Sequence, residues 1–471
     1  MGIHPDRRGG ATLSSAHPYI PNSAPSTRSD MLSAIGVDDI EQLYASIPDA
    51  LRVEGALSLP PAFRSEVELK RHVDGILATN VTTTEVLSFL GAGCYPHYVP
   101  AVCSEVNSRA EFLTAYAGEP YEDHGKWQAI FEYTSLMAEL LEMDVVNVPN
   151  YDGHQAAATA LRMAVRVTGR RSVIVSAAVP AAKRAKIDTY LAGAADVLTV
   201  PIDPATGRID RTALGGLLDD TIAAVFIESP NVFGVVESDA ASLATAVHAA
   251  GALVVCSTDP IALGFLPAPA SWGADIVCGD IQSLGLGMHF GGANGGFIAS
   301  HDEERIVFEY PSRLFGLAPT AVDGEIGFCD VAYERTSLAM REEGVEWVGT
   351  AAALWGITAG VYLSLVGPRG LRELGDTIAA YTRYAIESLS GVPGVELPFR
   401  GSAHWRELVV RYRDTTVAEV NERLRERGIL GGADISDQFP GLGQLSVFCL
   451  TELHEQADID RLVSELREVL A

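Results

Sequence analysis

The chain has 471 residues, of which 48% are hydrophobic and 20% are charged, a balance typical of globular proteins rather than disordered ones. Its 34 lysines and arginines stand against 61 acidic residues, which gives a formal net charge of −27. Because phosphate groups are bound by basic surfaces, this charge argues against a nucleic-acid-binding protein and against attraction to anionic membranes.

The six cysteines are scattered along the chain, and no two of them form a Cys-x-x-Cys pair. This spacing predicts free thiols in a reducing compartment, so we expect a soluble cytoplasmic protein. The eleven histidines contain no His-Glu-x-x-His motif, and we predict no metal site. Residues 1–16 lack the apolar segment of a signal peptide, and we expect residues 1–18 to form a disordered tail.

Residues 19–110 are rich in helix and turn signals and poor in strand signals. Residues 30–36 have the pattern of a short helix that ends at a glycine, and residues 67–77 show helical spacing. Between them, Leu59-Pro-Pro61 forces an extended backbone. We predict an N-terminal helical arm that packs on another surface.

Residues 111–348 alternate between short apolar runs and helical patterns. The predicted helices are 129–141, 154–168, 181–191 and 240–250. The predicted strands are 173–176, 197–200, 222–227, 253–256, 275–278 and 296–299. Continuous apolar strands that alternate with helices are typical of a mostly parallel sheet with helices on both faces. This region is therefore predicted to be a large α/β domain.

Residues 349–395 are predicted to be linking helices, and residues 396–471 a small C-terminal α/β domain. The uncharged segment 349–367 has the length of a membrane span, but it contains several glycines, and Glu346 lies just before it. A buried helix is the better interpretation of this segment. In the last domain we predict strands at 407–411 and 445–450, and helices at 417–427 and 458–469.

The chain contains four lysines, Lys70, Lys126, Lys183 and Lys186. A Schiff-base enzyme needs a lysine at a strand end, facing its cofactor. Lys70 lies in the arm, and Lys126 opens a helix on the wrong side of the predicted fold. Lys183 and Lys186 are predicted to lie on the solvated face of an amphipathic helix. No lysine is therefore placed for this chemistry.

Short motifs from residue 19 to the C-terminus occur in the order found in one enzyme family. They include Tyr19-Ile-Pro-Asn22, Phe89-Leu-Gly-Ala-Gly93, Tyr151-Asp-Gly153, Asp259-Pro260, Gly273-Ala-Asp-Ile-Val277, Gln282-Ser-Leu-Gly285 and Phe290-Gly-Gly292. With these motifs the chain resembles the alpha subunit (subunit 1) of two-subunit bacterial glycine decarboxylase, the P-protein of the glycine cleavage system. The resemblance implies the pyridoxal-phosphate (PLP)-dependent transferase fold type I, as in aspartate aminotransferase.

The resemblance also implies a division of labour between two subunits. The beta subunit of this family carries a histidine-lysine pair that binds PLP, whereas the alpha subunit has a Gln-Ser pair, here Gln282 and Ser283. Ser283 then occupies the position of the Schiff-base lysine, and this chain alone would be inactive. It would form a heterodimer or heterotetramer with a lysine-bearing beta subunit, whose PLP captures glycine. Carbon dioxide would leave, and the aminomethyl group would pass to a lipoylated carrier protein.

Several residues are candidates for a vestigial cofactor site or for a pocket and interface. Asp152, Gly153 and His154 lie at a predicted helix N-terminus, where this fold cups a phosphate, although ordinary N-capping by Asp152 is an alternative. Asp259, Gln282 and Ser283 complete the vestigial site. The pocket and interface candidates are Tyr95, His97, Tyr98, Tyr116, Tyr121, His124, His289, Arg335 and Arg341. For the aromatic and histidine-rich stretch at 95–124, interface packing and a role in lining the path of the carrier arm both remain open.

Two segments depart from the family pattern. The loop 117–125 is one residue shorter than usual, and residues 336–347 are rewritten. In the second segment Leu338 replaces a histidine, Glu343 replaces a lysine, and Val345-Glu-Trp347 replaces Thr-Ser-Asn. The exchange of a cation for an anion would be felt by any charged ligand. It suggests, as alternatives, a subunit that acts on another amino acid or carrier in specialised metabolism, or a homo-oligomeric pseudoenzyme with a binding or regulatory role.

Overall fold

The structure is a computed structural model that describes residues 19–20, 22–53, 57–112, 124–348 and 351–471. The predictions for residues 1–18 and for the loop 117–123 concern segments outside these ranges. The chain separates into two compact units, the first ending at Asn80 and the second extending from Val81 to Ala471. No helix in the described ranges is long and apolar enough to cross a membrane.

The first unit contains two α-helices, α1 (Pro25–Ile35) and α2 (Glu66–Leu77). Gly36 ends α1 in the left-handed conformation that glycine adopts without strain, as its sequence predicts. Ser65 caps α2 by accepting a hydrogen bond from the backbone N–H of Glu68 at 3.3 Å. No described residue of either helix is buried, so neither helix contributes a side chain to a core.

The second unit begins with a series of helices and strands that builds one large sheet. In chain order they are β1 (Leu87–Ser88), α3 (Ala101–Asn107), α4 (His124–Leu141), β2 (Val145–Val146), α5 (Gly153–Thr168), β3 (Ser172–Ser176), α6 (Ala181–Leu191), β4 (Asp196–Val200), α7 (Arg211–Leu217), β5 (Ile222–Glu228), α8 (Ala240–Ala249), β6 (Leu253–Ser257), β7 (Ile276–Asp280) and β8 (Gly296–Ser300). The predicted strands and helices of residues 129–299 all have counterparts here.

Seven of these strands pair in the order β2-β8-β7-β6-β5-β3-β4. Adjacent strands from β4 to β7 are parallel, whereas β8 runs antiparallel to both of its neighbours. The central strands β5 and β6 are buried along almost their whole length, because helices cover both faces of the sheet. The structure thus confirms the predicted α/β class with a mostly parallel large sheet.

The remaining elements begin with α9 (Glu304–Val307) and the antiparallel pair β9 (Leu314–Pro319) and β10 (Ile326–Val331). The helix α10 (Ala353–Leu389) follows, and the segment predicted to be a buried helix forms its first half. Gly367 interrupts α10 with a left-handed backbone directly before Pro368, which cannot continue the hydrogen bonding of the helix.

The C-terminal subdomain, residues 395–471, packs two helices on a second sheet. Its elements are β11 (Val395–Glu396), β12 (Glu407–Tyr412), α11 (Val417–Glu426), β13 (Ile429–Leu430), β14 (Ala433–Asp434), β15 (Gln444–Cys449) and α12 (Gln456–Val469). Four of the strands form an antiparallel sheet in the order β11-β12-β15-β14, and β13 pairs with β1. Apolar side chains of both helices and of the sheet form one core, which holds the start of β12 in place.

Candidate functional site

A cavity of about 380 Å³ lies at the carboxyl ends of the central strands of the large sheet. Glu228 ends β5, Asp259 follows β6 and Asp280 ends β7, and all three contribute to its lining. In open α/β sheets, ligands bind at this edge because the chain turns there into loops that carry side chains. The N-terminus of α5, residues 91–95 and the start of the C-terminal subdomain close the other walls.

Asp259 is held by a cation from the C-terminal subdomain. Its Oδ2 atom lies 2.5 Å from Nη2 of Arg406, which precedes β12. Its Oδ1 atom accepts a hydrogen bond from the backbone N–H of Ile261 at 2.8 Å and lies 3.5 Å from Oγ of Ser283. Both carboxylate oxygens of Asp259 are therefore engaged within the chain.

Arg406 is buried, with 5% of its surface exposed, and its guanidinium carbon lies 3.3 Å from the centre of the Tyr95 ring. A guanidinium over an aromatic face is attracted by the ring's negative face. Its Nη1 atom also donates to Nε2 of His97 at 3.3 Å, and Nδ1 of His97 bonds to the Glu452 carboxylate at 2.7 Å. Burial opposes the charge on Arg406, but Asp259 and the other acidic groups around it together outweigh burial, and the pKa of Arg406 is raised.

The segment 91–95 is hydrogen-bonded to Glu407 on β12 and to Gln282 after β7. Glu407 accepts a hydrogen bond from the backbone N–H of Ala92 at 2.6 Å and another from the hydroxyl of Tyr95 at 3.2 Å. The amide of Gln282 accepts from the backbone N–H of Tyr95 at 3.1 Å and donates to its carbonyl at 3.0 Å. Gln282 therefore acts as a clamp on residue 95 in this chain.

The N-terminus of α5 makes its hydrogen bonds to the chain's own carboxylates. Asp152 accepts from the backbone N–H of Gln155 at 2.7 Å, which is the N-cap alternative stated above. The backbone N–H of Gly153 donates to Oδ2 of Asp280 at 2.8 Å. Burial raises the pKa of Asp280 to about 6, although backbone N–H donors, that of Gly153 first among them, oppose the rise. Burial also lowers the pKa of His154, which favours its neutral form in the cavity wall.

The prediction that Lys183 lies on a solvated helix face is wrong. Lys183 is 9% exposed and lines the cavity, and its ammonium group donates to the Glu228 carboxylate and to Oγ of Ser257, the latter at 3.2 Å. Burial alone would lower the pKa of Lys183, but the Glu228 carboxylate outweighs burial and raises it. On the same helix Lys186 is partly exposed, and Lys126 on α4 is buried.

The other predicted pocket residues are not all brought together. His97 is buried, whereas Tyr98 is 63% exposed and meets Glu452 through its backbone N–H at 2.7 Å. His289, with a left-handed φ of 35°, packs against Trp355 at a ring distance of 5.7 Å in the glycine-rich loop after Gln282. Tyr116 and Tyr121 lie outside the described residues, as does the side chain of His124.

Arg335 directly precedes the rewritten segment and Arg341 belongs to it, and neither reaches the cavity. Arg335 forms a surface ion pair with Asp302 at 2.5 Å, and Arg341 is exposed with a left-handed φ of 52°. In the same segment Glu346 accepts a hydrogen bond from Oγ1 of Thr159 on α5 at 3.0 Å. Arg341 and Trp347 line a separate pocket of about 350 Å³. The segment is thus anchored to α5, which packs on the large sheet.

Five residues that structure the cavity escaped the sequence prediction: Lys183, Glu228, Asp280, Arg406 and Glu407. Glu228 and Asp280 did carry a signal, because each ends an apolar strand at the edge where parallel-sheet proteins bind ligands. Within the described ranges no three His, Cys, Asp or Glu side chains are grouped so that they could hold a metal ion.

Comparison with known families gives a match over almost the whole chain. The family described as glycine cleavage system P-protein matches residues 17–466. A probable glycine dehydrogenase (decarboxylating) subunit 1 from Thermococcus onnurineus is 36% identical over 452 residues, which cover 96% of this chain and 99% of the relative. The protein of the same description from Carboxydothermus hydrogenoformans is 37% identical over 451 residues, covering 95% and 99% of the two chains.

Solved structures give the same picture. A crystal structure of glycine decarboxylase (P-protein) of the glycine cleavage system, in inhibitor-bound form, superimposes with a TM-score of 0.82 at 33% identity and covers 96% of this chain and all of the other. A sphingosine-1-phosphate lyase from Burkholderia pseudomallei gives a TM-score of 0.65 at 15% identity, over 90% and 94% of the two chains. This second likeness concerns the fold, which is that of fold type I PLP-dependent enzymes.

Proposed function

Because the chain belongs to the glycine cleavage system P-protein family, we propose that it is the subunit of a two-subunit glycine decarboxylase that does not carry the Schiff-base lysine. The observation that carries this proposal is the cavity itself. Gln282 and Ser283 follow β7 and are buried behind its lining, and Lys183, a lysine in its wall, is bound to Glu228. A Schiff base forms from a neutral amine, and this ammonium group is held in its charged form.

The partner in this proposal is a lysine-bearing subunit that holds PLP. The family's fold supports PLP in the complex, and the description of the relatives as subunit 1 supports a second subunit. The first unit of this chain adds support, because it exposes apolar side chains such as Tyr19, Leu51 and Leu59, each at least 70% exposed. Exposed apolar surface of this extent is typical of protein interfaces.

In the complex, PLP would supply the electron sink for loss of carbon dioxide from glycine. The residues of this chain would contribute rigidity rather than chemistry: Gln282 fixes the backbone of Tyr95, and Arg406 ties the C-terminal subdomain to Asp259. A lipoylated carrier protein is the proposed acceptor of the aminomethyl group. Since all six cysteines are free, we also propose a reducing compartment such as the cytoplasm.

The test is glycine–bicarbonate exchange with this chain, with the lysine-bearing partner and with both together. We expect exchange from the pair and none from this chain alone. The partner should reach full activity only when this chain is added. The plateau of the titration then gives the stoichiometry of the complex. A partner that exchanges at full rate without this chain would refute the proposal.

The rewritten segment supports a second candidate, in which the same complex acts on another amino acid or carrier. Trp347 and Arg341 line a pocket of about 350 Å³, and Glu346 turns inward onto α5. Competition among amino acids in the exchange assay distinguishes the two candidates. Exchange that is strongest with glycine and an ordinary lipoylated carrier would rule the second candidate out.

A further inference from the structure

We propose that side chains of this chain take the places that PLP holds in an active member of the fold, with Arg406 as the permanent counter-ion of Asp259. This inference rests on the proposed function only for the identity of the cofactor. In PLP enzymes, an acidic residue commonly pairs with the pyridinium nitrogen, a lysine forms the Schiff base, and a helix N-terminus holds the phosphate. Each of these three places is filled here by a group of the protein.

The first place is the pyridinium nitrogen. Nη2 of Arg406 lies 2.5 Å from Oδ2 of Asp259, and its flat guanidinium stacks on the ring of Tyr95 at 3.3 Å. A planar cation that stacks on an aromatic side chain and binds Asp259 satisfies the carboxylate as a pyridinium would. Because Arg406 is covalently part of the chain, this contact is present without any ligand.

The second place is the phosphate cup at the N-terminus of α5. Its Gly153 N–H donates to Asp280, and Asp152 caps the helix, so two carboxylates stand where a phosphate would need donors. The cavity lining holds five carboxylates, those of Asp152, Glu228, Asp259, Asp280 and Glu407. A phosphate dianion placed among them would be repelled and would displace existing hydrogen bonds. The residues present therefore do not fit PLP.

The third place is the amine. Lys183 is the lysine that lines the cavity among the described residues, but it reaches in from α6, not from the end of β7 where Ser283 lies. Its ammonium group is bound by Glu228 and Ser257. Lys183 therefore contributes a buried cation to the cavity rather than a nucleophile.

The consequence is a cavity whose walls are bridged without a cofactor. Arg406 belongs to the C-terminal subdomain and Asp259 to the large sheet, so their ion pair joins the two across the cavity. Next to it, the backbone N–H of Trp405 donates to the carbonyl of Gly234 at 3.0 Å. In this chain a fixed internal ion pair would thus do permanently what bound cofactor does in a catalytic subunit, which is to bridge the cavity walls.

The first experiment is reductive trapping on the full chain, alone and in the complex with its lysine-bearing partner. The protein is titrated with PLP, reduced with borohydride, and mapped by peptide mass spectrometry. We expect Lys183 to carry less pyridoxyl label than the accessible lysines Lys70 and Lys186, which serve as internal controls in the same sample. Saturable labelling that favours Lys183 over both controls would overturn the proposal.

The second experiment removes the charges of the ion pair singly and together. We expect R406M and D259N to lower Tm each by several degrees, because each leaves one buried charge unpaired, and the double variant R406M/D259N to be more stable than either single one. R406K, which keeps the charge, should lie between wild type and R406M. Hydrogen exchange should rise at residues 91–95 and at 259–264 in the single variants.

Independent, additive losses at the two positions would contradict a pair that bridges the cavity. If neither single variant can be purified, the Tm values of R406K and of the double variant still decide the point. A double variant that folds where both single variants fail supports the pair, and one that fails as they do contradicts it. These measurements do not depend on glycine exchange. Failure of exchange with the partner would refute the proposed function and leave this inference standing, whereas additive losses in R406M and D259N would refute this inference and leave the proposed function standing.

Discussion

Lys183 on α6 donates a hydrogen bond from its ammonium group to the carboxylate of Glu228 at the end of β5, and the two side chains are only 11% and 8% exposed. A buried pair of this kind is favourable only as long as both partners are present, since each alone would be a desolvated charge. The pair therefore acts as a structural unit in the wall of the cavity.

We predict that K183M destabilises the protein by about 3–5 kcal/mol, because Glu228 would remain as an uncompensated buried charge. The double variant K183M/E228Q should recover most of this loss. Urea unfolding measures the free energy of unfolding of each variant. K186M, at a partly exposed position on the same helix, is the matched control and should change little. Equal losses in K183M and K186M would contradict the buried pair.

The position of Lys183 could have been inferred from helix geometry. Lys183, Ile187 and Leu191 are spaced four residues apart, so they lie on one stripe of α6, and all three are buried. A lysine on an apolar stripe is a sign of a buried partner. The sequence prediction places Lys183 on the solvated face because the charged residues Arg184 and Lys186 stand beside it on an amphipathic helix.

Asp280 gives a prediction for the dependence of stability on pH. Its pKa is raised to about 6 in the folded protein, whereas an unfolded Asp titrates near pH 4. Between these values the folded state holds the proton and the unfolded state does not. The contribution of Asp280 therefore stabilises the fold at low pH, and this contribution is lost as the pH rises from about 4 to about 6.

The measurement compares Tm for wild type and D280N across this pH range. The difference between the two should change between pH values of about 4 and 6 and stay constant above about 7. Because other buried groups titrate in both proteins, only the difference is interpreted. The control D188N removes a half-exposed carboxylate on α6. If the wild-type and D280N profiles run parallel, Asp280 does not carry the raised pKa.

Gly234 gives a prediction for the contact between the large sheet and the C-terminal subdomain. Its φ of 73° is left-handed, and a Cβ atom built on it would lie 1.8 Å from the carbonyl oxygen of Glu407. G234A should therefore destabilise the protein by more than about 3 kcal/mol, since the backbone of β12 would have to move. Denaturant unfolding provides the measurement.

The control for this effect is Gly193, which has a similar φ of 78° but no atom within 4 Å of a built Cβ. G193A should cost only the strain of the left-handed backbone, about 1–2 kcal/mol. The excess loss in G234A over G193A then reports the steric contact alone. Equal losses would show that Glu407 yields easily and that the two parts of the second unit are loosely joined.

The fold was predictable where a local sequence pattern determines each element. The site was not predictable, because it depends on residues that are distant in the sequence. Strands β3, β5 and β6 are short continuous apolar runs, and this pattern was sufficient to predict them as strands. The pair of Asp259 with Arg406 joins residues from different sheets, and no local pattern connects them. Likewise, strand β2 has only two residues, and a glycine interrupts each strand of the hairpin β9–β10, so their pairing depends on tertiary contacts.

The rewritten segment gives the last prediction. Glu346 is 12% exposed, accepts a hydrogen bond from Thr159 at 3.0 Å, and lies 3.5 Å from Nη1 of Arg166 on the same helix α5. Glu309 also binds Arg166. If Glu346 is removed, Arg166 keeps one carboxylate, so the loss should be moderate. We expect E346A to cost about 1.5–3 kcal/mol, the range for hydrogen bonds to charged groups.

The more specific readout of E346A is local. Because Glu346 anchors the segment to α5, hydrogen exchange at residues 337–347 should rise in E346A while exchange in β5 and β6 stays unchanged. E343A, at an exposed position in the same segment, is the matched control and should leave both unchanged. If exchange in the segment rises equally in E346A and E343A, the anchor is not Glu346. Retained local exchange in both variants would place the anchor in the apolar contacts of Val348 instead.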